Sequence, residues 1–170
     1  MITPKLETER LVLREIHTED AKTIFNCWMR DESVSRYMCW QASDDFQETQ
    51  KFVTYELANL ENDKWNRWIV LLKSTSEIIG TCLLYFNEEE SHWDISYNLV
   101  KKYQGNGYAT EAMRAVLKYA AQEMNVREIA TSYALENRKS ANVLRKLGFL
   151  GTKEVPYACN IGIYCVYKAK

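Results

Sequence analysis

Residues 103–112 read YQGNGYATEA, from Tyr103 to Ala112, and this stretch decides the fold. The chain has six glycines in 170 residues, and two of them, Gly105 and Gly107, stand directly before a strongly helical segment. A glycine inside a helix costs about 1 kcal/mol relative to alanine. Two at a helix start put bare backbone where something approaches closely. The first amides of a helix have no intrahelical partner, and the positive end of the dipole lies behind them. A strand, a glycine turn and a helix N-terminus therefore make an anion site. The plainer alternative is a tight strand-to-helix turn that needs positive φ. Two phosphate ligands fit badly. A nucleotide-triphosphate loop needs a lysine after its glycines, and none is present. A dinucleotide fingerprint needs a small residue where Thr110 stands, and it closes a first βαβ unit rather than following a meander.

Outward from the turn, "RLVLREI" (residues 10–16) alternates and predicts a strand. Asp20 is placed to cap a helix through about Arg30, and Asp44 or Asp45 to begin another carrying Phe46, Phe52, Val53 and Leu57. "RWIVLL", "EIIGTCLLYF" and "HWDISYNLV" follow with short polar breaks, the pattern of an antiparallel meander. The glycine turn then opens a helix to about Met124, with Ala109, Ala112, Met113, Val116, Leu117 and Ala120 on one stripe. "REIATSYAL" predicts a strand, and "NRKSANVLRKLGF" a helix capped by Asn137 and ended by Gly148. "GTKEV" and "IGIYCVYKA" predict a closing hairpin. The sum is one α/β domain (mixed α+β) over residues 1–170, with about seven strands and about four helices.

Twenty-two basic and 23 acidic residues give a formal charge of −1. That balance speaks against a nucleic-acid partner. The N-terminal residues are charged where a signal peptide needs an apolar core, and no apolar run approaches the roughly 20 residues that cross a bilayer. Cys27, Cys39, Cys82, Cys159 and Cys165 form no C-x-x-C pair and read as reduced packing thiols. His17 and His92 offer no zinc-ligand spacing. The expectation is a cytoplasmic, metal-free domain with no membrane partner.

Gln104-Gly105-Asn106-Gly107-Tyr108-Ala109 resembles the [QR]-x-x-G-x-[GA] signature of the GNAT acyl-CoA N-acyltransferases. "LETERLVLREIHTEDA", "SVSRYMCW", "GYATEAMRAVLKYA" and "ENRKSANVLRKLGF" are similar, in that order, to segments of the branch of ribosomal-protein N-terminal alanine acetyltransferases of RimJ/RimL type. The resemblance covers nearly the whole chain. It implies a GNAT-like fold with a mostly antiparallel mixed sheet, acetyl-CoA as donor, and direct transfer to a primary amine in a ternary complex. The acceptor it suggests is the N-terminal α-amine of a protein or peptide.

The resemblance also assigns residues. The cofactor pyrophosphate would lie on the amides of Gln104, Gly105, Asn106, Gly107, Tyr108, Ala109 and Thr110. The strand "HWDISYNLV" would splay from its neighbour to admit the pantetheine arm, with amides from Asn98 through Leu99 to Val100 polarising the thioester. Alternation sends Asp94 to one face with His92, Ser96 and Asn98, and Trp93, Ile95, Tyr97 and Leu99 to the other. Asp94 is the candidate base, with orientation of substrate as its alternative. Many members carry a tyrosine acid where Leu144 stands, so Ser140 is the replacement candidate near the sulfur, and Asn137 would bond the pantetheine. Tyr37, Trp40 and Trp93 are candidates for the acceptor groove, because cations favour aromatic faces; core packing is their alternative. The rival functions are acetylation of a small-molecule amine (an antibiotic or polyamine) and a non-catalytic CoA-binding module. A homodimer through the last strands is compatible with the sequence but not required by it.

Overall fold

The computed structural model describes residues 3–38, 40–157 and 160–169. Cys39 and Cys159 lie outside the described residues. Leu11 and Leu13 are sealed while Val12 and Arg14 are half-buried, so period-two alternation makes a strand of Leu11–Arg14 (β2). Before it, Leu6–Glu7 (β1) pairs antiparallel with β2 through Leu6–Leu13 and Glu7–Val12. Two residues are too few for alternation to show, so the sheet has eight strands rather than seven.

Trp65–Leu72 (β3), Ile78–Asn87 (β4) and His92–Leu99 (β5) form the expected antiparallel meander. Glu128–Ala134 (β6), Leu150–Tyr157 (β7) and Asn160–Lys168 (β8) complete the order β1-β2-β3-β4-β5-β6-β8-β7. Among the described residues only β5 and β6 run parallel, because the chain crosses between them through a helix.

The first helix is short. Asp20–Ile24 (α1) passes directly into a π turn, Phe25–Met29, and a further turn, Glu32–Ser35 (α2), follows. Asp20 does not cap α1 as expected. Its carboxylate accepts from the His17 amide at 2.8 Å and is held by both terminal nitrogens of Arg14. Phe46–Ala58 (α3) does begin as expected, with Asp45 accepting from the Gln47 amide at 2.9 Å.

Tyr108–Gln122 (α4) and Arg138–Leu147 (α5) cover one face of the sheet. Ala112, Met113, Val116, Leu117 and Ala120 of α4 pack there with Leu144 and Leu147 of α5 against Trp68, Cys82, Leu84, Ile95 and Ile129. The other face carries a second cluster, in which Ile16, Ile24, Trp28 and Val53 meet Ile69 and Val100. A buried ion pair, Glu56 to Arg67 Nε at 2.7 Å, ties α3 to that face, and Trp65 Nε1 donates to the second Glu56 oxygen at 2.8 Å. No helix among the described residues is long and apolar enough to cross a membrane.

Candidate active site

The glycine turn follows a 3₁₀ turn, Lys101–Tyr103, at the end of β5. Gly105 has φ +84° and Gly107 φ +82°, a left-handed conformation that only glycine enters without strain. Gly107 is the N-cap of α4 and supplies no side-chain acceptor. Its carbonyl accepts from the Glu111 amide, so the amides of Tyr108, Ala109 and Thr110 precede the first intrahelical bond. A Cβ at Gly105 would meet nothing within 4 Å, and one at Gly107 only an Arg10 nitrogen at 3.5 Å. Positive φ therefore requires both glycines, and the turn leaves a bare surface beside the first amides of α4.

Residues far away in sequence brace this loop. Glu111 accepts from the Thr8 hydroxyl at 2.6 Å, the Arg10 amide at 2.9 Å and Arg10 Nε at 2.7 Å. Arg10 also donates to the Asn106 carbonyl at 3.2 Å and lies 4.4 Å over the Tyr108 ring. Burial pushes the Glu111 carboxyl up, but Thr8 and Arg10 outweigh it and hold the group below its ordinary value. The Asn106 carboxamide closes the loop onto the Tyr103 and Gln104 carbonyls. Gln104 donates to the Leu99 carbonyl at 3.0 Å and accepts from Lys139 at 2.8 Å, linking the end of β5 to α5.

β5 and β6 share a single registered pair, Trp93–Ile129, and beyond it the strands part. The Val100 amide donates to the Ile79 carbonyl at 2.8 Å, which fixes the phase of the β4–β5 ladder. Alternate amides, including those of Asn98 and Ser96, face β4, while Tyr97 and Leu99 present theirs to the gap. Of the expected Asn98–Val100 donors only Leu99 is therefore directed into the opening. Val100 is committed on both sides, its carbonyl accepting from the Tyr103 amide at 2.9 Å. Tyr97, not singled out in the sequence as a donor, supplies the second amide.

Asp94 stands one residue past the shared pair, at the head of the opening. Its carboxylate accepts from the Ile95 amide at 2.6 Å and from the Tyr85 hydroxyl at 3.1 Å. The Thr131 hydroxyl lies beside it and donates to the Ile95 carbonyl at 3.2 Å. Burial pushes the Asp94 carboxyl above its ordinary value, against the lowering effect of Thr131, the Ile95 amide and the Tyr85 hydroxyl beside it. Trp65, Tyr85 and Asp94 are register partners across three strands. The Trp65 ring lies 5.4 Å from Tyr85 and 5.7 Å from the half-exposed Tyr55 of α3. This aromatic row leads over the sheet to the carboxylate. The signal for it in the sequence was the alternation of β3 and β4, but the register joining them is not local.

On the α5 side, Asn137 Oδ1 accepts from the Ser140 amide at 3.1 Å, so Asn137 caps the helix. The Ser140 and Tyr97 hydroxyls lie 2.9 Å apart, across the parted strands. Burial drives the Tyr97 phenol up, out of the range of a useful acid. Leu144, at the position of the missing tyrosine, is 3% exposed and belongs to the core.

The three aromatic acceptor candidates are not brought together. Trp93 packs edge-on against Phe86 on the α4 side of the sheet, across from the Asp94 carboxylate. Trp40 packs against the second cluster. The Tyr37 carbonyl accepts from Tyr157 at 2.9 Å, which ties the α2 segment to the closing hairpin.

The family model for the acetyltransferase (GNAT) domain matches residues 10–150. An uncharacterized N-acetyltransferase, p20, of Bacillus licheniformis is 30% identical over 145 residues, covering 85% of this chain and 81% of the relative. The [ribosomal protein uS5]-alanine N-acetyltransferase of Escherichia coli (strain K12) is 24% identical, covering 85% and 77%. Among solved structures, RimL, a ribosomal L7/L12 α-N-protein acetyltransferase in complex with coenzyme A, superposes with TM-score 0.85 at 15% identity, covering 99% and 98%.

Proposed function

The chain belongs to the acetyltransferase (GNAT) family and is an acetyl-CoA-dependent N-acetyltransferase, and from that premise we propose that its acceptor is the N-terminal α-amine of a protein or peptide in the cytoplasm. The observation that carries the reading is the opening between β5 and β6, with the bare N-terminus of α4 at one end and Asp94 at the other. Tyr97, Leu99 and Asp94 all border it. Leu99 and Asp94 lie five residues apart on one strand, about 17 Å. The similarity to the uS5-alanine enzyme supports the acceptor class.

The residues suit the donor. Amides of Tyr108, Ala109 and Thr110, with the open backbone at Gly105, would hold its pyrophosphate. Bound acetyl-CoA supplies an activated acyl carbon. The Tyr97 or the Leu99 amide polarises the carbonyl there, a fixed dipole that need not reorganise. Asp94, through water along the opening, takes the proton from the attacking amine. An α-amine titrates near 7.7–8.0 and a lysine near 10.4, so a carboxyl raised only by burial matches the α-amine better. Ser140, positioned by Asn137 and Tyr97, is the group beside the departing sulfur.

The test is release of free thiol from acetyl-CoA with a short peptide carrying a free N-terminus. Asp94→Asn is expected to abolish most of the release while leaving CoA binding intact. Equal rates in the two proteins would remove Asp94 from the reaction.

A further inference from the structure

Beside the glycine turn lies a groove of about 320 Å³. Gly107, Thr110 and Arg114 line it at spacings of three and four, so one face of α4 runs along it. Glu9 and Arg10 join from the turn between β1 and β2, and Lys146 from the last turn of α5. Thr110 is 9% exposed, yet its hydroxyl has no hydrogen-bond partner among the described residues. A polar side chain this buried is normally paired. The hydroxyl is not sealed from solvent, so it opens into the groove.

The charges around the groove divide into engaged and unengaged. Arg10 gives its Nε to Glu111 at 2.7 Å, and its Nη2 lies 2.6 Å from the same carboxylate. Glu9 adds its field at Arg10. Arg114 and Lys146 are exposed, and neither has a hydrogen bond or ion pair among the described residues. Two unpaired cations and an unpaired hydroxyl on one groove suit an anion with several acceptor oxygens.

We propose that this groove holds the 3′-phosphate of CoA: Arg114 and Lys146 pair with it, and the Thr110 hydroxyl donates to it. This rests on the reading of the α4 N-terminus as the pyrophosphate site. Gly107 and Thr110 border both places, and Arg114 stands one turn beyond Thr110, about 6 Å along the axis. In CoA a single ribose separates the pyrophosphate from the 3′-phosphate, which suits two anion sites one helical turn apart. That phosphate is a monoester and carries a charge of about −1.5 to −2 at pH 7. Arg114 offers it two parallel N–H donors, while Lys146 acts as a point charge. Dephospho-CoA keeps the pyrophosphate and leaves both cations unused.

The experiment measures binding of CoA and dephospho-CoA by titration calorimetry, in wild type and in the double variant Arg114→Gln, Lys146→Gln. Tm is recorded for both proteins. Wild type is expected to bind CoA roughly tenfold more tightly at low salt, a preference that shrinks as salt rises. The double variant is expected to bind dephospho-CoA as wild type does and to lose the preference. Its Tm should match wild type, because both side chains are exposed. Equal affinities for the two ligands in wild type would overturn the proposal, while CoA binding itself stands. A variant that keeps the preference, or is weakened equally toward both ligands, overturns it too. Binding of neither ligand to wild type would instead sink the cofactor reading, and the proposal with it.

Discussion

Tyr85 donates its hydroxyl to Asp94 Oδ2 at 3.1 Å, from the position directly across the β4–β5 ladder. The bond steers the carboxylate, while the Ile95 amide holds its other oxygen toward the parting of β5 and β6. Asp94→Asn is expected to lower kcat by roughly 10²-fold or more, the usual worth of a positioned base. Tyr85→Phe is expected to cost less, because only the orientation of the carboxylate is lost.

The same carboxyl makes a stability prediction. Burial raises its folded-state pKa, so the folded chain holds that proton more tightly than the unfolded chain does. The destabilisation from ionising Asp94 is absent below the unfolded value, about 3.9, and grows as pH rises through the folded one. Asp94→Asn is therefore expected to melt higher than wild type at neutral pH and together with it in acid. Thermal unfolding at several pH values checks this, and an Asp94→Asn protein less stable at pH 7 would contradict it.

Gly107→Ala places an L-residue at φ +82°, at a cost of about 1–2 kcal/mol. The new Cβ has room beside Arg10, so the strain comes from the backbone. The expected result is a Tm lower by several degrees and a smaller Tm rise on adding CoA. Saturating CoA at a hundredfold over its Kd adds about 2.7 kcal/mol to wild type.

Gly80→Ala acts on the site from behind. A Cβ there would stand 2.2 Å from the Asn98 carbonyl oxygen and 3.0 Å from the Leu99 Cα, both backbone atoms. β5 must shift to admit it, at about 1–3 kcal/mol. Activity is expected to fall further than stability explains, because the Tyr97 and Leu99 amides move with the strand. Comparing thiol release at matched folded fraction separates the two effects.

Ser140→Ala is expected to lower kcat by less than tenfold, since a thiolate can collect its proton from water. Tyr97→Phe is expected to give a smaller loss of the same kind, through the 2.9 Å contact with Ser140. A loss of a thousandfold in Ser140→Ala would make that hydroxyl an obligatory acid.

What could be read in the sequence was what neighbouring residues decide. The glycines at 105 and 107, the Asn137 cap and the Gly148 terminator are local conformational requirements, and each stands where expected. The meander and the α4 stripe were legible for the same reason. The parting of β5 from β6 was expected only through family resemblance, because strand separation leaves no mark on either strand's pattern. The Arg10–Glu111 brace joins residues 101 apart, and the Trp65–Tyr85–Asp94 row depends on register. The π turn at Phe25–Met29 has no proline or glycine to announce it. Trp93 is instructive: the alternation that placed it opposite Asp94 already argued against its touching an acceptor held by that carboxylate.

The most direct measurement follows acetyl-CoA with a short peptide bearing a free N-terminus and an internal lysine, reading thiol release and the position of the acetyl group by mass spectrometry. The expected result is one thiol per acetyl on the α-amine, with an N-terminally blocked peptide inert. Acetylation confined to the lysine, or no thiol release with any amine, would contradict it.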